Sequence, residues 1–260
     1  MGHTTDASDL GDVRQFYDEL AAEYDVMTAF EKRFVQERPF FRILVDTHGL
    51  TTAIDAGSGT GFHSILLAQL GVRVTAVDLS GQMLARLRHH AVTLALPIDT
   101  LEIPFSELAA SIRTPVDSLF SMGNTLAHLL TPGELATALE NFARVIRPGG
   151  ILFLQLLNYE RILSTRTRVQ NVREEGGTTF IRYYDFAGEI IRFNVMRVVR
   201  GGGKTEAQIS SVELRPVLPE QLAGLLADAG FTEIRTFGSI AMEEYSAQES
   251  RDLVVLARRP

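Results

Sequence analysis

The sequence predicts an α/β fold in which a buried, mostly parallel sheet is flanked by helices, preceded by a helical cover and interrupted by an antiparallel β insertion. Three observations predict it. From Thr51 onward, short apolar runs (TTAIDA, VRVTAVD, LEI, VDSLFSM, GILFLQLL) alternate with helical stretches, the rhythm of strands covered on both faces. Residues 1–50 instead carry apolar side chains at helical spacing. Residues 165–215 switch to two-residue alternation, the mark of antiparallel ribbons.

Along the chain, Val13, Phe16, Leu20 and Tyr24 share one helical face, and Phe30, Phe34, Phe41 and Val45 suggest a second helix, so residues 1–50 read as a helical cover. Ser80 is placed to cap a helix carrying Met83, Leu84, Leu87 and Leu94. Thr131-Pro132-Gly133-Glu134 reads as a capping box with proline at the first helical position, and its helix is expected to end at Pro148-Gly149-Gly150. In the insertion, TFIRYYDF, EIIRFNVMRVV and AQISSVELR are joined by Gly176-Gly177, Gly188 and Gly201-Gly202-Gly203, and the whole reads as a lid. Pro219 opens a last helix that Gly230 closes, and TEIRTF and DLVVLAR end the chain as strands. Residues 1–260 are expected to form one domain.

A chain of 260 residues with 45% hydrophobic content has room for one sizeable core. Without cysteine it has no disulfide, thiolate metal site or cysteine nucleophile. A net charge of −7 gives no attraction to a phosphate backbone, so a small molecule is the expected partner and nucleic acid is not. No run of about 18 apolar residues suggests a membrane span, and the start MGHTTDASDL lacks the regions of a signal peptide. A soluble, cytoplasmic protein is the expectation. His63 and His89-His90 are expected on helix surfaces without partners at ligand spacing, so no metal is assigned. Oligomeric state is not readable from these residues.

Asp55-Ala56-Gly57-Ser58-Gly59-Thr60-Gly61 follows a strand and leads into the helix FHSILLAQL, so backbone can approach a ligand at a helix N-terminus. Asp78 lies 17 residues beyond Gly61, at the end of VRVTAV, where a carboxylate can accept both hydroxyls of an adenosine ribose. Dinucleotide binding would need glycine at position 62 to complete G-x-G-x-x-G, but that position is Phe62.

IDAGSGTG resembles the first motif of class I S-adenosylmethionine (SAM) dependent methyltransferases, and AVDLSGQML resembles their second. The RVIRPGGIL turn and the closing helix and strand pair extend the resemblance over nearly the whole chain. It implies a Rossmann-like sheet of seven strands with the last antiparallel, SAM as cofactor and S-adenosylhomocysteine as its product. It also implies that Gly57, Gly59 and Gly61 line the methionine part of SAM, that Asp78 takes the ribose hydroxyls, and that Leu79 and Met83 pack near adenine. Met83 has a second reading as core, at helical spacing from Leu87. Asp55, Ser58, Phe105 and Met122 complete the expected cofactor shell. The acidic residue usual after the third strand is not evident around Ile103-Pro104-Phe105.

More narrowly, Gly123-Asn124-Thr125-Leu126-Ala127-His128-Leu129 and Asn158-Tyr159-Glu160-Arg161-Ile162-Leu163-Ser164-Thr165 resemble stretches of glycine and sarcosine N-methyltransferases. By that resemblance Arg33 pairs with the SAM carboxylate, the alternative being a solvated surface arginine. The family's substrate-clamping arginine before the Asn-Tyr pair is here Leu157, so glycine is not the expected acceptor. Arg182 and Arg192 are possible replacements, although charges alternating along a strand usually mark its wet face. Tyr17, Tyr24, Asn124, Asn158, Tyr159 and Tyr184 are the expected substrate contacts.

Methyl transfer needs positioning more than covalent help. An amine must arrive deprotonated; a hydroxyl needs a base, for which His128 and Tyr24 are the candidates. The preferred reading of His128 is a structural histidine that hydrogen-bonds to SAM or backbone, which places it in the cofactor shell. The expected function is methyl transfer from SAM to a small-molecule acceptor, an amine nitrogen. The alternatives are a SAM-binding protein without transfer activity and an NAD-linked oxidoreductase.

Overall fold

The computed structural model describes residues 7–28, 30–201 and 204–260. Gly202 and Gly203, expected in a turn, lie outside the described residues, as do residues 1–6 and Ala29 of the expected cover. The chain opens with α1 (Ala7–Leu20), α2 (Tyr24–Thr28) and α3 (Phe30–His48). Then come β1 (Thr52–Ala56), α4 (Phe62–Gln69), β2 (Arg73–Asp78), α5 (Gly81–Thr93) and β3 (Ile98–Glu102). They are followed by α6 (Leu108–Ser111), β4 (Val116–Ser121), α7 (Pro132–Val145), β5 (Ile146–Leu157) and α8 (Tyr159–Thr165). An antiparallel stretch, β6 (Val169–Glu175), β7 (Thr178–Ala187), β8 (Ile190–Gly201) and β9 (Lys204–Leu214), precedes α9 (Pro219–Asp228), β10 (Thr232–Phe237) and β11 (Asp252–Arg258).

Seven strands form one sheet in the order β10-β11-β5-β4-β1-β2-β3. β11 runs antiparallel to both β5 and β10, while β1, β2, β3, β4 and β5 are parallel to one another. This is the Rossmann-like arrangement expected. The central strands are buried along almost their whole length, since helices cover both faces. Ile54, Leu119 and Leu152 point to one face with α7 and α9, and Ala53, Phe120 and Phe153 to the other with α3 and α4.

The helix starts follow the local chemistry. Ser80 accepts the Met83 amide at 3.0 Å, and Thr131 and Glu134 form a reciprocal capping box. Two boundaries differ from expectation. α7 stops at Val145, because Pro148 disfavours helical backbone at Arg147, and the strand has already begun at Ile146. Leu94 lies past the end of α5 and is exposed, so it adds nothing to that helix's buried face.

The second sheet, ordered β6-β7-β8-β9, turns one face toward the N-terminal helices. Phe180, Val195 and Val212 pack there against Phe16, Leu20 and Met27. Polar contacts reinforce the junction: Ser210 donates to Glu19 at 3.0 Å and Arg197 to Glu23 at 2.7 Å.

At the end of the main sheet away from the strand C-termini, one carboxylate ties three strands together. Asp117 accepts from the Thr51 and Thr52 amides at 2.7 and 2.9 Å, from the Thr51 hydroxyl at 2.6 Å and from Arg147 Nε at 2.6 Å. Burial alone would raise its pKa, but the bonds from Thr51, Arg147 and Thr52 outweigh burial and hold it well below the usual carboxylate range. A depressed carboxylate stabilises the fold above its unfolded pKa of about 4 and loses that contribution as pH falls toward the folded value. Asp117→Ala is therefore expected to cost about 2 kcal/mol at neutral pH by urea denaturation, and the gap to the native chain should narrow steadily below about pH 4.

Candidate active site

In the main sheet the chain proceeds outward from β1 to β2 and β3, then returns to the other side of β1 as β4. The reversal leaves a crevice between the C-terminal ends of β1 and β4, where open α/β sheets bind ligands. The loop Gly57–Gly61 forms one lip of it and Met122–His128 the other. The lips touch: a Cβ on Gly57, whose φ is +79°, would lie 2.3 Å from Thr125 Cγ2. Gly61, with φ +92°, starts α4, and its Cβ would strike Leu87 at 2.4 Å. Glycine is required at both positions by backbone angle and by space.

The crevice opens into a cavity of about 500 Å³, within the range of small-molecule sites. Asp78 stands on its wall at the end of β2. One carboxylate oxygen accepts the Gly59 amide at 2.8 Å and the other the Ser80 amide at 2.9 Å. Burial pushes its pKa up to about 6, with backbone bonds from Ser80 and Gly59 opposing the shift. Asp55 lies beneath the loop rather than on the wall, 1% exposed, accepting from the Ser64 hydroxyl at 2.6 Å.

α1 and α2 roof the cavity. Asp18 holds α1 in place by accepting from the Ser80 hydroxyl and the Gln82 amide, at the positive N-terminus of α5. Tyr17 and Tyr24 reach inward from this roof, 6.2 Å apart between ring centroids. The Tyr17 hydroxyl meets His128 Nε2 at 2.8 Å. Burial lowers the His128 pKa to about 4, the Glu213 backbone partly opposing it, so the imidazole is neutral and its Nε2 can accept a hydrogen bond from the Tyr17 hydroxyl. Burial holds the Tyr17 phenol well above its ordinary value.

At the other end of the cavity, Arg33 lies over the Phe62 ring at 4.1 Å and donates to Glu37 at 2.8 Å. Glu37 in turn approaches His63 Nε2 at 3.3 Å. Burial would raise the Glu37 pKa, yet His63 and Arg33 bring it below its ordinary value. His63 is thus buried and paired, not on a helix surface as expected, because α3 packs over that face of α4. His90 also has partners, Asp25 at 3.2 Å and the Thr60 carbonyl at 3.2 Å. Among the described residues no three potential ligands gather as a metal site, and no helix is long and apolar enough to cross a membrane.

Of the residues singled out from sequence, Arg33, Ser58, Gly59, Asp78, Leu79 and Phe105 lie on the cavity wall. So do Gly57, Met122, His128, Tyr17 and Tyr24. Gly61 and Met83 stand behind it, Met83 fully buried under α5. The other expected substrate contacts are elsewhere. Asn124 adopts left-handed backbone and bridges the Leu157 amide and the Tyr159 hydroxyl. Asn158 caps α8 and donates to carbonyls of Ser246, Ala247 and Ser250, fixing that loop. Tyr159 and Tyr184 share a buried apolar cluster with Ile191 and Leu214. No β6–β9 residue lines the cavity among the described residues; that sheet stands behind α1 instead of over the site. Sequence reading missed Phe62, His63, Thr125 and Glu134 on the wall.

The wall suits SAM. Ser58 Oγ is buried without a hydrogen-bond partner among the described residues, and a Cβ on Gly59 would meet only Tyr24, at 3.9 Å. A charged end at Arg33, a carboxylate midway and an apolar end at Leu79, Ile103 and Phe105 follow the polarity of an amino acid joined to a nucleoside.

Residues 53–150 match a family described as a methyltransferase domain. The chain is 25% identical to a glycine/sarcosine N-methyltransferase from Aphanothece halophytica over 246 residues, 93% of this chain and 88% of that one. The fold is similar to a SAM-dependent methyltransferase from Clostridium acetobutylicum, at TM-score 0.80 and 15% identity, covering 93% of this chain and 98% of that one. It is also similar to a sugar N-methyltransferase from Streptoalloteichus, at TM-score 0.71 and 20% identity, covering 91% and 92%. Residues 53–150 therefore read as a methyltransferase domain, and with the crevice, its glycine loop and Asp78 these likenesses support a class I SAM methyltransferase.

Proposed function

We propose that the chain transfers the methyl group of SAM to an amine nitrogen of a small-molecule acceptor. The observation that carries the choice of nitrogen is the lack of a free base on the described wall. His128, at about 4, is too weak a base to deprotonate a hydroxyl and already accepts from Tyr17. Asp78 accepts the Gly59 and Ser80 amides and is assigned the ribose, and Glu134 is held by its capping box. A neutral amine needs no such base. The N-methyltransferase relatives support the same reading.

When bound, SAM supplies a methyl group already activated by its sulfonium. A neutral amine would take up that methyl group, sulfur keeping the C–S bonding pair and the ammonium product giving its proton to water. Arg33 is assigned the methionine carboxylate, Gly57, Ser58 and Gly59 the chain beside it, Asp78 the ribose, and Leu79, Phe105 and Met122 the adenine side. Tyr17 and Tyr24 exclude water above the reacting atoms, and Tyr24 can offer its ring face to positive charge.

If Asp78 holds the ribose as a carboxylate, calorimetric SAM affinity should be flat above about pH 6 and fall below it, by up to tenfold per unit. Asp78→Asn should weaken binding at least tenfold and flatten that profile; native affinity for NAD above that for SAM would contradict the reading. In a second measurement, labelled SAM is offered to amines, amino acids and phenols. Transfer to amines is expected, with His128→Asn losing less than about tenfold in kcat; a loss of 100-fold or more, or transfer confined to phenols, would identify base catalysis instead.

A further inference from the structure

The roof over the cofactor cavity includes a helix too short to hold itself in place. α2 has five residues, and so short a helix is marginal without tertiary contacts. On its far side, Met27 joins the apolar cluster around Phe180, and Glu23, just before the helix, accepts from Arg197. Toward the site it presents Tyr24, whose ring carbon Cε1 lies 3.9 Å from where a Cβ on Gly59 would stand. The contacts on the sheet side do not reach the glycine loop, so that approach needs a tie of its own.

The tie comes from α5. Arg86 and His90 stand four residues apart on it and share a helix face. Both turn to Asp25, the residue after Tyr24: His90 Nε2 lies 3.2 Å from its Oδ2, and an Arg86 nitrogen lies 3.6 Å from the same oxygen. The other ring nitrogen of His90 donates to the Thr60 carbonyl at 3.2 Å, since a carbonyl can only accept. Thr60 follows Gly59 in the loop and lines the cavity, as Tyr24 does. One imidazole therefore spans from the neighbour of Tyr24 to the neighbour of Gly59. The Phe30 ring, 5.3 Å away between centroids, packs beside it.

Stability alone does not account for this arrangement. Asp25 Oδ1 is buried without a hydrogen-bond partner among the described residues, and an oxygen left so costs the fold stability. Nor is His90 a core residue. It borders a second cavity of about 570 Å³, together with Arg86 and Leu94, so replacing it opens no hole in a packed interior.

We propose that His90, acting with Asp25, is a positioning residue that sets Tyr24 against Gly59 and so keeps the roof closed over bound SAM. His90 does not line the cofactor cavity and acts through Tyr24, which does. The inference rests on SAM binding and not on the choice of nitrogen as acceptor.

Calorimetric SAM affinity of the full chain tests it without any acceptor. His90→Leu should weaken binding about tenfold. Asp25→Ala cuts the tie from its other end and should do the same, the two together losing no more than either alone. In a Tyr24→Leu background, His90→Leu should cost less than about twofold, because nothing is left to position. Without SAM, both single variants should melt within about 5 °C of the native chain. Affinity within about twofold of native in His90→Leu overturns the inference. So does an equal loss in both backgrounds, which would put the effect in the Thr60 loop alone, and so does a loss that Asp25→Ala fails to share. A larger fall in melting temperature in both variants would make the pair structural and also overturn it. Transfer confined to phenols would remove the amine reading and leave this inference standing.

Discussion

The loop after β1 keeps its shape because the Asp78 carboxylate accepts the Gly59 amide through one oxygen and the Ser80 amide through the other. That pair of bonds joins the ends of β1 and β2 and fixes where α5 begins. Ser80 in turn caps α5 and reaches Asp18, which settles α1 over the crevice. Burying the carboxylate is costly, as its raised pKa records. The geometry of the cofactor crevice therefore depends on a group whose charge is held at some expense, and a ligand that satisfies that charge adds to the stability of the whole arrangement.

α1 has two dry sides. Tyr17 and Val13 look into the cavity, while Phe16 and Leu20 look at the antiparallel sheet. Cofactor crevice and insertion therefore meet through α1, and again at the Met122–His128 lip, where Ala127 packs with Tyr184, Ile191 and Leu214. Glu19 and Glu23, which could have supplied an anion to the sheet's inner face, are spent on Ser210 and Arg197.

The parts of the site legible in sequence are those where backbone imposes the residue. Gly57 and Gly61 can be read because positive φ and a close neighbour exclude any side chain, and Asp78 because it ends a strand at a fixed distance from them. The sheet and its caps were legible for the same local reasons, whereas the antiparallel closing strand came from the family resemblance and not from periodicity. Long-range choices were not. Asn158 looks like a pocket residue until the loop it anchors, 88 positions later in the chain, is seen around it. Alternation shows that Phe180, Arg182 and Tyr184 share a face, but α1, far away in sequence, decides that this face is the dry one. The cavity-facing side of α4 was misjudged likewise, because α3 covers His63.

The double duty of α1 also bears on traffic through the site. Lifting it away would bare Phe16 and Leu20 together with Phe180, Val195 and Val212, at roughly 1.5–3 kcal/mol for each large side chain returned to water. The opposite wall is cheaper to cross: Thr131 and Gly133, at the start of α7, border the cavity and are themselves exposed. The cavity therefore meets solvent at the start of α7 without any displacement of α1.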